Sequence, residues 1–273
     1  MGDERRVSTL HELIDQTLRQ HLDASALLSE KLNTVLRLLC KYRATLIQNT
    51  LIQHCGLAVL DGPFQGMQFV SHSAEGCHVP KLLGCYEAEL HAHILAAVGR
   101  GYEVVINIGA AEGYYAVGLA RLMPATIVYA YDSNIAARQM CQDLAEHNGV
   151  AERVSIGGVF QGEDFARFIG RKALVLCDIE GSETDLLDPR RYPVLQGMDI
   201  IVELHDTPQA KPSKEIPDRF RATHAITMIR QGGRSVKLPR FFETLGHLDQ
   251  LLAVWEWRSG PTPWAVMLGR EVA

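Results

Sequence analysis

From residue 104 onward, short wholly apolar runs alternate with longer stretches in which apolar residues recur every three or four positions. Strands buried on both faces, exchanging with amphipathic helices, produce that pattern. It predicts strands over 104–108, 126–131, 154–156, 173–177 and 199–204, with helices over 114–122, 135–147 and 164–169. Such alternation builds a parallel α/β sheet with right-handed crossovers. Further on, 224–229 and 264–268 read as two more strands with a helix over 248–257 between them. The intervening T-P-Q-A-K-P-S-K-E-I-P, with three prolines, reads as a loop or lid at the rim of a site.

The first 55 residues follow a different rule. Thr9 and Glu12 have capping-box spacing ahead of Leu10, Leu13, Ile14 and Leu18, and a second helix is expected from about Asp23. Within it Leu28, Leu32, Val35, Leu39, Tyr42 and Leu46 step by four and three, the a/d spacing of a coiled-coil seam. Two readings stay open: a helix packed on its own domain, or a homodimer seam. Residues 56–80 carry two β-like runs around D-G-P and Q-G, which predicts a hairpin or small sheet. The expected organisation is a helical region over 1–55, a hairpin segment over 56–80 and an α/β domain over 81–273.

The chemistry centres on V-V-I-N-I-G-A-A-E-G-Y-Y-A-V-G at 104–118, a strand, a glycine turn and a helix closed off by Pro124. Open α/β sheets bind ligands at such a carboxyl end. A dinucleotide fingerprint starting at Gly109 would need glycine at Ala111 and Tyr114, and a P-loop would need Gly-Lys-Ser/Thr; neither is present. What remains is a nucleoside-type cofactor without a pyrophosphate. Asp132 closes the next strand a little over twenty residues later, the spacing at which a carboxylate meets ribose hydroxyls.

N-I-G-A-A-E-G-Y-Y-A at 107–116 is similar to the D-V-G-A-N-x-G-Y-Y-S motif of FkbM-like S-adenosylmethionine-dependent methyltransferases. The resemblance continues in order through V-Y-A-Y-D at 128–132, L-V-L-C-D-I-E-G-S-E at 174–183 and I-I-V-E-L-H at 200–205, covering roughly residues 80–206. It implies a class I methyltransferase Rossmann-like sheet, mostly parallel with an antiparallel last strand, preceded by an N-terminal helical extension. It also implies S-adenosylmethionine as cofactor, with Asn107, Gly109, Ala111, Gly113, Asp132 and Asp178 around it. In many class I methyltransferases a residue just before the glycine strand closes over the cofactor, which makes Tyr86 and Glu87 candidates. An ordinary first-turn carboxylate, favoured by the helix dipole, is the other reading of Glu87. Asn107 stands where most of these enzymes carry aspartate, so it can hydrogen-bond the cofactor but not pair with it as a charge.

The ends of strands four and five hold the densest polar chemistry. Asp178, Glu180 and Glu183 follow one, and Glu203, His205 and Asp206 close the other. Methyl transfer to a hydroxyl requires positioning and a general base, and His205 is the candidate, with Glu180 or Glu203 orienting its ring. A purely structural histidine closing the strand is the alternative. A divalent ion on Asp178, Glu180 and Asp206 would be a further route, although no ligand spacing compels it. The Asn- or Asp-Pro-Pro-Tyr motif of amino-methylating enzymes is replaced after strand four by D-I-E-G, which favours an oxygen acceptor over a nucleic-acid or glutamine nitrogen, and the resemblance implies a hydroxyl of a small molecule or carbohydrate.

Composition narrows the partners. Among 273 residues 47% are hydrophobic, enough for a substantial core, and the net charge of -5 supplies no global basic field for nucleic acid or an anionic membrane. With neither a membrane-spanning apolar stretch nor a signal-peptide core, a cytoplasmic location is expected. The six cysteines show no C-x-x-C pair, which fits reduced, mostly buried thiols. Two other function classes stay open: a cofactor-binding scaffold without catalysis, and a nicotinamide oxidoreductase.

Overall fold

The N-terminal three-and-four pattern folds as two helices, α1 (Gly2–Asp23) and α2 (Leu28–Cys55). This is a computed structural model that describes residues 2–232, 236–258 and 260–270, with side chains from residue 9 onward. Thr9 lies inside α1 rather than at its start, and the second helix begins at Leu28, five residues later than expected. Gly56, at φ 73°, ends α2, its N–H bonding the Ile52 carbonyl.

One compact unit comprises residues 1–56 together with 237–257, so the helical region is completed by a later part of the chain that the pattern had placed in the α/β domain. Within it Ala44, Ile47 and Leu51 of α2 are buried. Asp249 of α9 (His247–Ala253) receives a two-pronged bond from Arg43 at 2.7 and 2.6 Å. The ring of His54 stacks on Phe241. Leu28, Leu32, Leu36 and Leu39 stay exposed along α2.

The second unit, 57–236 with 258–273, holds the sheet. Its strands are β1 (Val104–Ile108), β2 (Ile127–Tyr131), β3 (Val154–Gly157), β4 (Ala173–Cys177), β5 (Asp199–Glu203), β6 (His224–Ile229) and β7 (Trp264–Gly269), in the order β3-β2-β1-β4-β5-β7-β6. The first five are parallel, and β7 runs antiparallel to both β5 and β6. This is the class I methyltransferase arrangement. β1, β4 and β5 are buried along their whole length, as their apolar runs require. The crossovers include α5 (Tyr114–Leu122) and α6 (Ile135–His147), the latter capped by Asn134 accepting from the Ala136 and Ala137 amides.

Two expectations are met only in part. The hairpin over 56–80 is minimal, an antiparallel bridge between Ala58 and Gln68 with the Val59 amide on the Met67 carbonyl and the Phe69 amide on the Leu57 carbonyl, after which α3 (Val79–Leu83) and α4 (His91–Val98) lead into β1. The proline-rich stretch past Asp206 is not all loop, because α8 (Pro212–Phe220) starts at its second proline. Pro212 falls in the first turn, where its missing N–H costs nothing. Ile216, Pro217 and Phe220 bury one face of the helix, and burial outweighs the poor propensity of the interior proline.

Candidate functional site

Strand register assembles the site. Ile108 pairs with Tyr131 on one side and Cys177 on the other, so the next residues, Gly109, Asp132 and Asp178, emerge side by side. Cys177 pairs with Val202, which sets Asp178 beside Glu203. The crevice lies between β1 and β4, where the strand order reverses and open sheets take their ligands.

The glycine turn is locked into this edge. Gly109 has φ 79°, and a Cβ there would stand 1.6 Å from the Asp178 carbonyl oxygen. Asp132 accepts the Ala111 amide at 2.8 Å and the Asn134 amide at 2.7 Å, which ties the acidic strand end to the turn while leaving lone pairs for a ligand. A cavity of about 340 Å³ opens here, lined by Gly109, Asp132, Phe160, Asp178, Glu180 and Glu75 among others. Four of its lining residues are carboxylates, and among the described residues no lysine, arginine or histidine lines it. Burial pushes the Asp178 carboxyl up to about 6 against the pull of His205, and its buried Oδ1 has no hydrogen-bond partner.

His205 lies at the neighbouring strand end, mostly buried. Its Nδ1 is 2.5 Å from Glu183 Oε1, while Nε2 is 3.4 Å from Glu203 Oε2 and 3.7 Å from both Asp178 Oδ1 and Glu180 Oε2. Burial opposes its charge, but the Glu183 hydrogen bond and the surrounding carboxylates outweigh that and raise the imidazole above its ordinary value. Glu183, not Glu180 or Glu203, therefore orients the ring. A second cavity, about 990 Å³, is lined by His205, Asp206, Thr207, Arg230 and Thr262, and it shares Glu180 with the first. Glu180 sits at φ 52° before Gly181 at φ 110°, the turn that carries it between the two cavities.

Several sequence candidates have other partners. Glu203 gives its Oε1 to Arg258 and Thr262 and keeps only Oε2 toward His205. Glu87 is fully buried and bound by Arg258 at 2.6 Å and by the Tyr115 hydroxyl, so it closes a buried network rather than the cofactor cavity. Burial pushes its carboxyl up to about 7 although Arg258 pulls it down. Tyr86 packs edge-on against Tyr114. Asn107 is buried in β1 with Nδ2 3.4 Å from the Leu176 carbonyl and Oδ1 unpartnered, and it does not line the cavity. Ala111 contributes its amide to Asp132, and Gly113, at φ 92°, caps α5; both shape the turn from behind.

The metal set read from the sequence does not assemble. Asp206 instead caps α8, accepting from the Ser213 amide and hydroxyl at 3.0 and 2.8 Å. The described residues that do bring ligand-type atoms within 4.8 Å of one another are Asp178, Glu203 and His205, and the Arg258 guanidinium already supplies a cation to Glu203. All six cysteines are free, and Cys77, Cys85, Cys141 and Cys177 are buried. No described helix is long and apolar enough to cross a membrane.

No protein family model matches the chain. No curated protein matches it. Among solved structures it is similar to human methyltransferase 10 domain containing protein, with a TM-score of 0.48 and 12% identity over 84% of this chain and 96% of that one. It is also similar to the O-methyltransferase TomG from Streptomyces achromogenes, involved in tomaymycin synthesis and crystallised with SAM (TM-score 0.45, 14% identity, 83% of this chain and 89% of that one). A third is the O-methyltransferase from Bacillus cereus in complex with SAH (TM-score 0.44, 12% identity, 65% of this chain and 78% of that one). At such scores and identities the likeness concerns the fold, which the strand order already defines.

Proposed function

We propose that the chain is an S-adenosylmethionine-dependent methyltransferase acting on a hydroxyl of a small molecule or carbohydrate. The observation that carries this reading is the charge of the cavity at the glycine turn, with four carboxylates and no cation among its described lining residues. A nicotinamide dinucleotide would bring a pyrophosphate into that field and be repelled, whereas a sulfonium with an ammonium group is drawn in. Asp132 would hold the ribose, Gly109 would let backbone approach the ligand, and Asp178 would face its charged portion. When bound, the cofactor supplies an electrophilic methyl group.

The chain's own residues supply the rest. With Nδ1–H donated to Glu183, the lone pair on His205 Nε2 is free to accept a hydroxyl proton. Glu183 on Nδ1 then stabilises the imidazolium, as the carboxylate of a catalytic triad does, and Asp178, Glu180 and Glu203 add negative charge around Nε2. Glu180 borders both cavities, so a donor in the smaller and an acceptor in the larger would meet beside His205.

Calorimetry tests the cofactor directly. The chain is expected to bind S-adenosylmethionine and not NAD, and Asp132→Ala should weaken binding about tenfold or more, as for loss of hydrogen bonds to a charged group, on the order of 1.5–3 kcal/mol. Binding of NAD alone would assign the cavity to a dinucleotide, and methyl-donor binding without turnover on any acceptor would favour the scaffold. Gly109→Val is a poor probe, because its side chain would collide with the Asp178 carbonyl whether or not a ligand is present.

The N-terminal unit supports a homodimer. Leu28, Leu32, Leu36 and Leu39 fall within one face of α2 and are all exposed, from 40% to 69%. If they meet the same face of a second copy, Leu39→Glu should halve the mass measured by light scattering with helicity unchanged. An unchanged mass would return the helix to its own domain.

A further inference from the structure

A buried ion pair stands behind the glycine turn and plays no part in the chemistry above. Lys81 of α3, 4% exposed, places Nζ 2.5 Å from Oε1 of Glu112, the glutamate of G-A-A-E-G, which is fully buried. Burial works against both charges, and their mutual attraction overcomes it, raising Lys81 and lowering Glu112. The pair's remaining bonds go to one loop. Glu112 Oε2 accepts the Ala74 amide at 3.0 Å, and Lys81 Nζ donates to the Glu75 carbonyl at 3.3 Å. The backbone of residues 74 and 75 is thereby fastened to the turn from which Gly109 faces the cavity. Between these anchors the Glu75 side chain is exposed and lines that cavity with Asp132 and Glu180.

These three carboxylates line the cavity with no cation among its described lining residues, and they repel one another. Burial and the charges of Asp132, Glu112 and Glu180 raise Glu75, although Lys81 behind the loop pulls it down. A hydroxyl can satisfy one such group, whereas a positive charge in the cavity is favoured by all three. The cavity also holds Asp178, whose buried Oδ1 has no partner.

We propose that Glu75, carried by a loop that Lys81 and Glu112 brace against the glycine turn, is a specificity residue that favours a cationic adenosyl ligand over its neutral counterpart. In terms of the methyltransferase reading, on which this rests, it favours the sulfonium donor over the demethylated thioether product. Donor and product share adenosine and the amino-acid end, and differ in a methyl group and one positive charge. A carboxylate acting through charge distinguishes them; one that only accepts a ribose or ammonium hydrogen bond does not. Lys81 and Glu112 are positioning residues, because their bonds reach the loop backbone and not the cavity.

The test is calorimetric binding of S-adenosylmethionine and S-adenosylhomocysteine to the full chain at low ionic strength. Glu75→Gln keeps the side chain's size and one acceptor oxygen and removes its charge. It is expected to cut the donor-over-product preference about five- to tenfold, nearly all of it through weaker donor binding. Added salt should erode the preference of the wild type more than that of the variant, since Glu75 is exposed to screening. Glu75→Asp should retain most of the preference. Lys81→Met with Glu112→Gln, which removes both buried charges together, should lose it with Glu75 intact. Equal weakening of both ligands by Glu75→Gln, or an unchanged ratio, overturns the proposal while leaving the cofactor assignment standing. A wild-type chain that binds neither ligand overturns the cofactor assignment itself. Because Glu75→Gln alters only an exposed loop side chain, its result stands even if the double substitution fails to fold.

Discussion

Replacing His205 with alanine is expected to lower turnover at least a hundredfold while the affinity for S-adenosylmethionine changes less than twofold. Loss of a positioned base costs about 3 kcal/mol or more of barrier. The imidazole belongs to the larger cavity, not to the one at the glycine turn, which separates the two effects. Asp178→Ala should damage both binding and turnover, since Asp178 lines the smaller cavity and its Oδ1 lies 3.7 Å from His205 Nε2. Glu183→Gln should leave cofactor binding intact and reduce turnover, because the ring keeps a partner at Nδ1 but loses a charge that stabilises the imidazolium. The experiment requires a hydroxyl acceptor found by screening, with methyl transfer followed by product release. In the wild type, turnover should rise with pH through a midpoint above the ordinary histidine value, because the neutral ring is the active form and its carboxylates hold the proton on. Near-normal turnover by the alanine variant would pass proton removal to Glu180, to solvent or to a metal-bound water, and sensitivity to a chelator would identify the last of these.

The sheet was legible because its strands are buried on both faces and announce themselves as unbroken apolar runs; β1, β4 and α5 fall where the pattern put them. That Gly109, Asp132 and Asp178 share one edge was legible for a related reason, as each directly follows such a run and in-register parallel strands bring consecutive ends together. What failed was anything fixed by partners distant in sequence. Glu87 could be read as a cofactor residue only while Arg258, 171 positions away, was out of view. Nothing around Arg258 marks it, whereas Glu183 stands within the D-I-E-G-S-E segment and could have been weighed as the ring's orienter. Glu112 lies in the glycine-turn motif, which is read for its glycines, and Lys81 lies well upstream of it. Their pairing depends on how α3 packs behind the turn, and no local pattern encodes that. The stretch past Asp206 misled for the opposite reason, since local propensity was clear and tertiary burial of Ile216 and Phe220 overrode it.

Arg258→Met is expected to destabilise the sheet domain by about 3–5 kcal/mol, the usual consequence of removing one partner from a buried ion pair. Arg258 binds Glu87 and Glu203, which are 0% and 4% exposed, and methionine leaves both without their cation. The loss should depend on pH in a definite direction. Burial raises Glu87 to about 7 from an ordinary 4.5 even with Arg258 pulling it down, and removing the arginine raises it further. A carboxyl whose folded value lies above its unfolded one favours folding while protonated, and that contribution fades as pH rises from the unfolded value through the folded one. At pH 5 the variant can keep Glu87 neutral and should fall only modestly below the wild type. At pH 8 it must bury the Glu87 charge without the arginine or take up a proton from dilute solution, and the gap should reach its full size. Urea unfolding at the two pH values measures it, with Arg258→Met, Glu87→Gln, Glu203→Gln as the compensated variant, expected to recover most of the loss at pH 8. A deficit equal at both pH values would assign the arginine's contribution to packing of its aliphatic stem rather than to the charges it joins.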